Sequence, residues 1–152
     1  GLALCVMHMQ GEPDTMQTAP TYNDVVQDVA EFLVHRLADL SAAGIDLDRV
    51  IIDPGFGFGK TAEQNFELLA RLEVLSNLGQ PVLVGLSRKS MISSVLDRLP
   101  EQRMVASVAL ALMAVERGAR IVRVHDVAAT FDALSMWQTT RHALSQSQGQ
   151  PI

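Results

Sequence analysis

Apolar and polar positions alternate in blocks along the chain. Residues 2–8 form a short, nearly continuous apolar run, as expected of a strand covered on both faces. A polar stretch at 10–21 reads as a long loop. Over 22–43, Val25, Val26, Val29, Phe32, Leu33, Leu37 and Leu40 recur at helical spacing, with Gly44 just past the end. Val50-Ile51-Ile52 is a second buried strand, running into Asp53-Pro-Gly-Phe-Gly-Phe-Gly-Lys60. A second helix begins near Thr61, with Phe66, Leu68, Leu69, Leu72 and Leu75 apolar, and Gly79 closes it. Val82-Leu83-Val84 predicts the third strand, followed by Gly85-Leu-Ser-Arg-Lys-Ser90, a short helix at 91–96 and a longer one at 101–117. Gly118 marks a boundary, 121–124 reads as the fourth strand, and 127–143 as the last helix.

Strand, loop and helix repeated four times predicts parallel βα units with right-handed crossovers. Two α/β architectures satisfy that pattern. One is a small open doubly-wound sheet. The other is half of a (β/α)₈ barrel, a fold that typically needs ~250 residues.

Composition narrows the classes. The 152 residues are 48% hydrophobic and 19% charged, which supports a real core. A net charge of −5 argues against a nucleic-acid partner, and no segment reaches the ~18 apolar residues a membrane span needs. The single cysteine, Cys5, lies in an apolar run and reads as a small core residue, with no disulfide to suggest secretion. The first residues lack the basic flank of a signal peptide and an initiating methionine, and open directly on a strand-like run. That suggests a chain cut from something longer.

The unusual polar residues collect at strand ends. Met7, His8 and Gln10 follow the first strand, and Asp53 ends the second. Ser87, Arg88 and Lys89 follow the third, and Arg123, His125 and Asp126 end the fourth. In α/β folds that rim is where active sites form. Each has a bland reading beside the chemical one. Asp53 either caps the turn at Pro54 or accepts paired N–H bonds from a guanidine-like edge of a heterocycle. Gly55, Gly57 and Gly59 make either an ordinary turn or a loop that approaches a ligand, with Phe56 and Phe58 covering a flat ring. The segment matches no nucleotide fingerprint. Ser87-Arg-Lys-Ser90 is a solvated basic turn or an anion site. Arg123 is costly inside Ile-Val-Arg-Val unless its charge is engaged, by a salt bridge or by an anion shared with His125. No nucleophile elbow and no zinc spacing occurs. His35 and His142 read as surface residues within helices.

Four segments, taken together in order and spacing, resemble the dihydropteroate synthases of the pterin-binding enzyme family. They are Val6-Met-His-Met-Gln-Gly-Glu-Pro-Asp-Thr-Met-Gln17, Asp53-Pro-Gly-Phe-Gly-Phe-Gly-Lys60, Gly85-Leu-Ser-Arg-Lys-Ser90 and Val122-Arg-Val-His-Asp-Val127. The resemblance implies a TIM barrel, of which residues 1–145 would be the C-terminal half, strands five to eight, with 146–152 a flexible polar tail. It implies condensation of 6-hydroxymethyl-7,8-dihydropterin pyrophosphate with p-aminobenzoate, giving 7,8-dihydropteroate and pyrophosphate. By the same resemblance Asp53 would bind the pterin's amino-pyrimidine edge, Lys89 the pterin and its loop, and Gly85 and Met7 would lie near the ring. Arg123 would stack on the pterin and, with His125, hold pyrophosphate. Phe58, Ser87 and Ser90 would shape the p-aminobenzoate site, where sulfonamides compete. Mg²⁺ would accompany the pyrophosphate, its protein ligand lying in an absent N-terminal half. A cytoplasmic homodimer through the late helices, 101–117 and 127–143, is implied as well. With half the site, the 152 residues alone would be a catalytically silent pterin- or anion-binding fragment.

Overall fold

The computed structural model describes residues 2–12, 16 and 20–147. Four short strands, β1 (Leu4–Met7), β2 (Val50–Asp53), β3 (Val82–Val84) and β4 (Ala119–Val122), form one parallel sheet in sequence order. Leu4 pairs with Val50 and Met7 with Asp53, Ile52 with Val82, and Val84 with Val122. The register slips between β3 and β4, so that Val82 faces Ala119 but Leu83 faces Ile121. Arg120 is the extra residue of that bulge.

Helices α1 (Val25–Ala42), α2 (Ala62–Ala70), α3 (Glu73–Ser76), α4 (Met104–Glu116) and α5 (Val127–Ser147) occupy the connections and follow β4. Asp24 caps α1 by accepting from the Val26 and Gln27 N–H groups. Thr61 and Gln64 cap α2 reciprocally. The single helix expected from Thr61 to Gly79 is two: α2 ends at Ala70, capped by Arg71, and α3 follows. The leucines keep helical spacing across the break, and both Leu72 and Leu75 are fully buried. No glycine or proline marks the break, so periodicity could not show it. The expected helix at 91–96 is a 3₁₀ turn at Ser90–Ser94, and a second such turn at Pro100–Gln102 precedes α4. Of the tail expected at 146–152, residues 146 and 147 continue α5, and 148–152 lie outside the described residues.

Side chains alternate across a strand, and here the alternation separates two environments. Val50, Ile52, Val82 and Val84 point toward the helices and are buried with Val26, Leu33, Leu68, Leu75, Leu110 and Ala114. Cys5, Ile51, Leu83 and Ile121 lie on the other face, where the last three are half-buried and Cys5 is exposed. The expectation that Cys5 is a core residue is therefore corrected. An apolar run does not say which strand face is covered, and Cys5 has the uncovered parity.

Candidate active site

The parity that brings Ile51, Leu83 and Ile121 to the open face continues to Asp53 at the end of β2 and, past the ends of β3 and β4, to Gly85 and Arg123. Met7 joins them from β1, opposite Asp53 in register. Asp53 is 2% exposed. Its Oδ1 accepts the Gly55 N–H at 2.8 Å, and its Oδ2 faces an Arg123 guanidinium nitrogen at 3.5 Å. The turn-capping reading thus holds, and the second oxygen is left facing Arg123 on the open side of the sheet. Burial pushes the Asp53 carboxyl above the ordinary carboxylate range, while the Gly55 N–H and the charges of Arg123, Lys89 and Lys60 pull it back.

The glycine loop beyond Asp53 is shaped by close approach. Gly55 has φ of +69°, and a Cβ there would land on the His8 carbonyl oxygen. Gly57 has φ of +78° and lies against the Lys89 side chain. The two phenylalanines between the glycines do different things. Phe56 is 1% exposed and belongs to the core, which corrects the reading that both cover a ligand. Phe58 is half-buried, with the Lys89 ammonium 4.3 Å from its ring centroid. Burial, then the nearby Arg123 charge, hold the Lys89 ammonium below the ordinary lysine range, and Asp53 opposes them.

Gly85 forms a flat wall. A Cβ at this position would come within 2.9 Å of the Arg123 guanidinium, so the guanidinium lies directly on the backbone. Arg123 is 59% exposed, not engaged inside a strand, since β4 ends one residue earlier. Gly85, Ser87, Lys89, Arg123, Val124 and His125 line a cavity of about 230 Å³. The Ser87 hydroxyl lies 2.9 Å from His125 Nδ1 and accepts the His125 N–H at 3.2 Å. Ser90 stands exposed at the start of the Ser90–Ser94 turn and does not line this cavity.

Sequence reasoning missed what holds these groups. Arg88 has φ of +59°, unusual for a residue with a Cβ, and its guanidinium clasps Asp126 at 2.7 and 3.2 Å. The Ser107 hydroxyl on α4 accepts the Arg88 N–H at 2.9 Å, and Arg103 donates to the Arg88 and Lys89 carbonyls. Asn65 accepts the Gly57 N–H at 2.7 Å. Lys60, at the end of the glycine segment, is 3% exposed. A lysine directly after three alternating glycines was the one available hint.

The arrangement has three parts: a buried carboxylate oxygen facing Arg123, flat surfaces at Gly85 and Phe58, and two cations lining one cavity. It suits a planar heterocycle with paired N–H donors, joined to an anion. Comparison with known proteins gives the same direction. The model of the pterin binding enzyme family matches residues 1–125. The dihydropteroate synthase of Haemophilus influenzae is 54% identical over 142 residues, covering 93% of this chain and 52% of that protein. The structure superposes with a TM-score of 0.90 on Yersinia pestis dihydropteroate synthase in a sulfonamide drug complex, at 46% identity. That match covers 93% of this chain and 52% of the other. Xanthomonas albilineans dihydropteroate synthase in complex with 7,8-dihydropteroate gives 0.84 at 49% identity, covering 98% and 52%. The chain spans about half the length of the curated relatives it matches. Its four βα units are half of the TIM barrel of these proteins, which removes the open doubly-wound alternative. Fold, ordered motifs and match over residues 1–125 agree that the chain belongs to the pterin binding enzyme family.

Proposed function

We propose that this chain supplies the C-terminal part of a dihydropteroate synthase site, acting in folate biosynthesis. The carrying observation is the buried Asp53, whose Oδ2 faces Arg123, itself laid on Gly85, with the Lys89 charge near enough to act on the carboxyl. In this reading Asp53 accepts the paired N–H groups of the pterin's amino-pyrimidine edge. Gly85 and Met7 flank the ring, and Arg123 stacks on it. Lys89 reaches both the pterin and Phe58. The Arg123 and His125 side chains hold the pyrophosphate, and Phe58, Ser87 and Ser90 shape the p-aminobenzoate side, where sulfonamides compete.

The reaction breaks the C–O bond between the pterin's CH₂ carbon and pyrophosphate, which leaves with the electron pair. The Lys89 and Arg123 charges stabilise the negative charge that develops on it. The arylamine nitrogen then attacks the resonance-stabilised cation, forms the C–N bond and loses a proton to water. Such a nucleophile is already neutral near pH 7 and needs no protein base.

Among the described residues, no group of three or more His, Cys, Asp or Glu converges to hold a metal ion. Magnesium enters this reading only as the companion of pyrophosphate, with any protein ligand outside these residues. Among the described residues no helix is long and apolar enough to cross a membrane. The reading extends to a cytoplasmic enzyme, where a free thiol such as Cys5 stays reduced. It also extends to a homodimer through α4 and α5, whose Val105, Met113, Phe131 and Met136 are exposed apolar residues.

The test is a chimera in which this chain replaces the 142-residue segment it matches in the Haemophilus influenzae relative. The chimera should form 7,8-dihydropteroate, and the Asp53→Asn variant should bind the pterin about 100-fold more weakly. A folded chimera without turnover would overturn the assignment. The 152 residues alone should bind the pterin weakly and turn nothing over, the fragment reading that their half-length match favours.

A further inference from the structure

The reaction as described leaves one buried charge unused. Lys60 Nζ has three acceptors: His8 Nδ1 at 3.0 Å, the Gly55 carbonyl at 3.0 Å and the Phe58 carbonyl at 3.1 Å. Three acceptors match the three N–H bonds of an ammonium and leave none over. The Phe58 N–H donates to the Gly55 carbonyl at 3.1 Å, so Lys60 clamps both ends of the turn that contains Gly57. Burial holds the ammonium down to about 7, with Asp53 pulling the other way.

His8 is placed to serve that lysine. It is 6% exposed, its ring meets Phe32 edge-on at 4.9 Å, and its backbone N–H donates to the Asp53 carbonyl at 3.0 Å. Burial, then the Lys60 charge, depress its pKa to about 4, so the ring is neutral and Nδ1 is free to accept. The hydroxyl of Tyr22 donates to the Gly59 carbonyl at 2.7 Å. The loop's inward carbonyls are thus held by side chains rather than by a neighbouring strand.

We propose that Lys60, seated on His8, is a positioning residue for the pterin site. It holds the loop from Gly55 to Gly59 in the one shape that aims the Gly55 N–H at Asp53 and lays Phe58 beneath Lys89. The inference rests on the pterin reading of Asp53 but concerns groups that touch no substrate.

The experiment uses the chimera with three variants: Lys60→Met, His8→Leu and His8→Asn. The last keeps an acceptor close to where Nδ1 stood. For folded protein, Lys60→Met and His8→Leu should raise the KM for the pterin pyrophosphate by about tenfold to 100-fold, with the KM for p-aminobenzoate much less affected. Amide exchange at Phe58 should accelerate in both. His8→Asn should return both readouts close to those of the parent. Variants that fold and lose thermal stability while keeping the parent's pterin KM and Phe58 protection would overturn the proposal. Should Lys60→Met fail to fold, the two His8 variants decide, and identical pterin KM values in both would overturn it. If the unsubstituted chimera binds no pterin yet Phe58 protection follows the expected order, the pterin reading falls and the clamp on the loop stands apart from it.

Discussion

In the loop after β2 the charges lie inside. Asp53 and Lys60 are 2% and 3% exposed, the Gly55, Phe58 and Gly59 carbonyls each have a side-chain donor, and left-handed Gly55 and Gly59 let backbones touch. In the loops after β3 and β4 the charges are at least partly solvated, from Asp126 at 16% to Arg88 at 31% exposed and Arg123 beyond them. Arg123 is 59% exposed, His125 is exposed, and the loops are tied by the Arg88–Asp126 pair and by Ser107 and Arg103 on or beside α4. One loop is a largely buried hydrogen-bonded network, costly to disturb at its buried members. The others are a solvated rim whose side chains can move. The division suits a ligand with a rigid flat half and a charged half that must leave.

The sharpest way to break the comparison is at Gly55. Gly55→Ala puts a methyl group on the His8 carbonyl and forces an unfavourable φ, costing about 4 kcal/mol or more. Gly44→Ala is the control, with a similar φ of +79° and open space around it, and should cost about 1 kcal/mol. Urea unfolding of the two chimeras measures the gap. Equal losses would mean that the loop yields and is not rigid.

A second effect follows from His8. Its pKa is about 4 in the fold against an ordinary 6.5, so between those values the unfolded chain binds a proton that the folded chain refuses. Stability should be complete above pH 6.5 and fall as the pH drops toward 4, by about 3 kcal/mol at about 1.4 kcal/mol per pH unit. Unfolding of the parent and His8→Asn across that window checks it, and the variant should lose this part of the slope. An unchanged slope would assign the acid sensitivity to other groups.

The smallest effect belongs to the rim. Arg88 holds the Asp126 carboxyl below the ordinary range, but the pair is partly solvated. Asp126→Asn should weaken pyrophosphate binding by no more than about fivefold, and added salt should shrink the difference. Calorimetric titration at two ionic strengths measures it. A 100-fold loss would show that the rim is as rigid as the β2 loop.

What was legible before the structure was whatever depends on local order. Val50-Ile51-Ile52 and Val82-Leu83-Val84 announce strands because uninterrupted branched apolar residues fit a buried pleat. Asp53, Ser87, Lys89 and Arg123 read as site candidates because each follows or ends such a strand. The pairing of Arg88 with Asp126 spans 38 positions, and that of His8 with Lys60 spans 52. Nothing in residue type or periodicity specifies those distances.

The sequence by itself determined four βα units, the strand ends as the chemical rim, and the ordered motifs of the pterin binding enzyme family. Each is carried by neighbouring residues through side-chain period or turn chemistry. Only the tertiary structure decided that Phe56 is core while Phe58 lies half-buried under Lys89, that Cys5 lies open and that Lys60 lies buried on His8. Burial and ionisation belong to a position in space, and that position is set by elements packed together from distant parts of the chain.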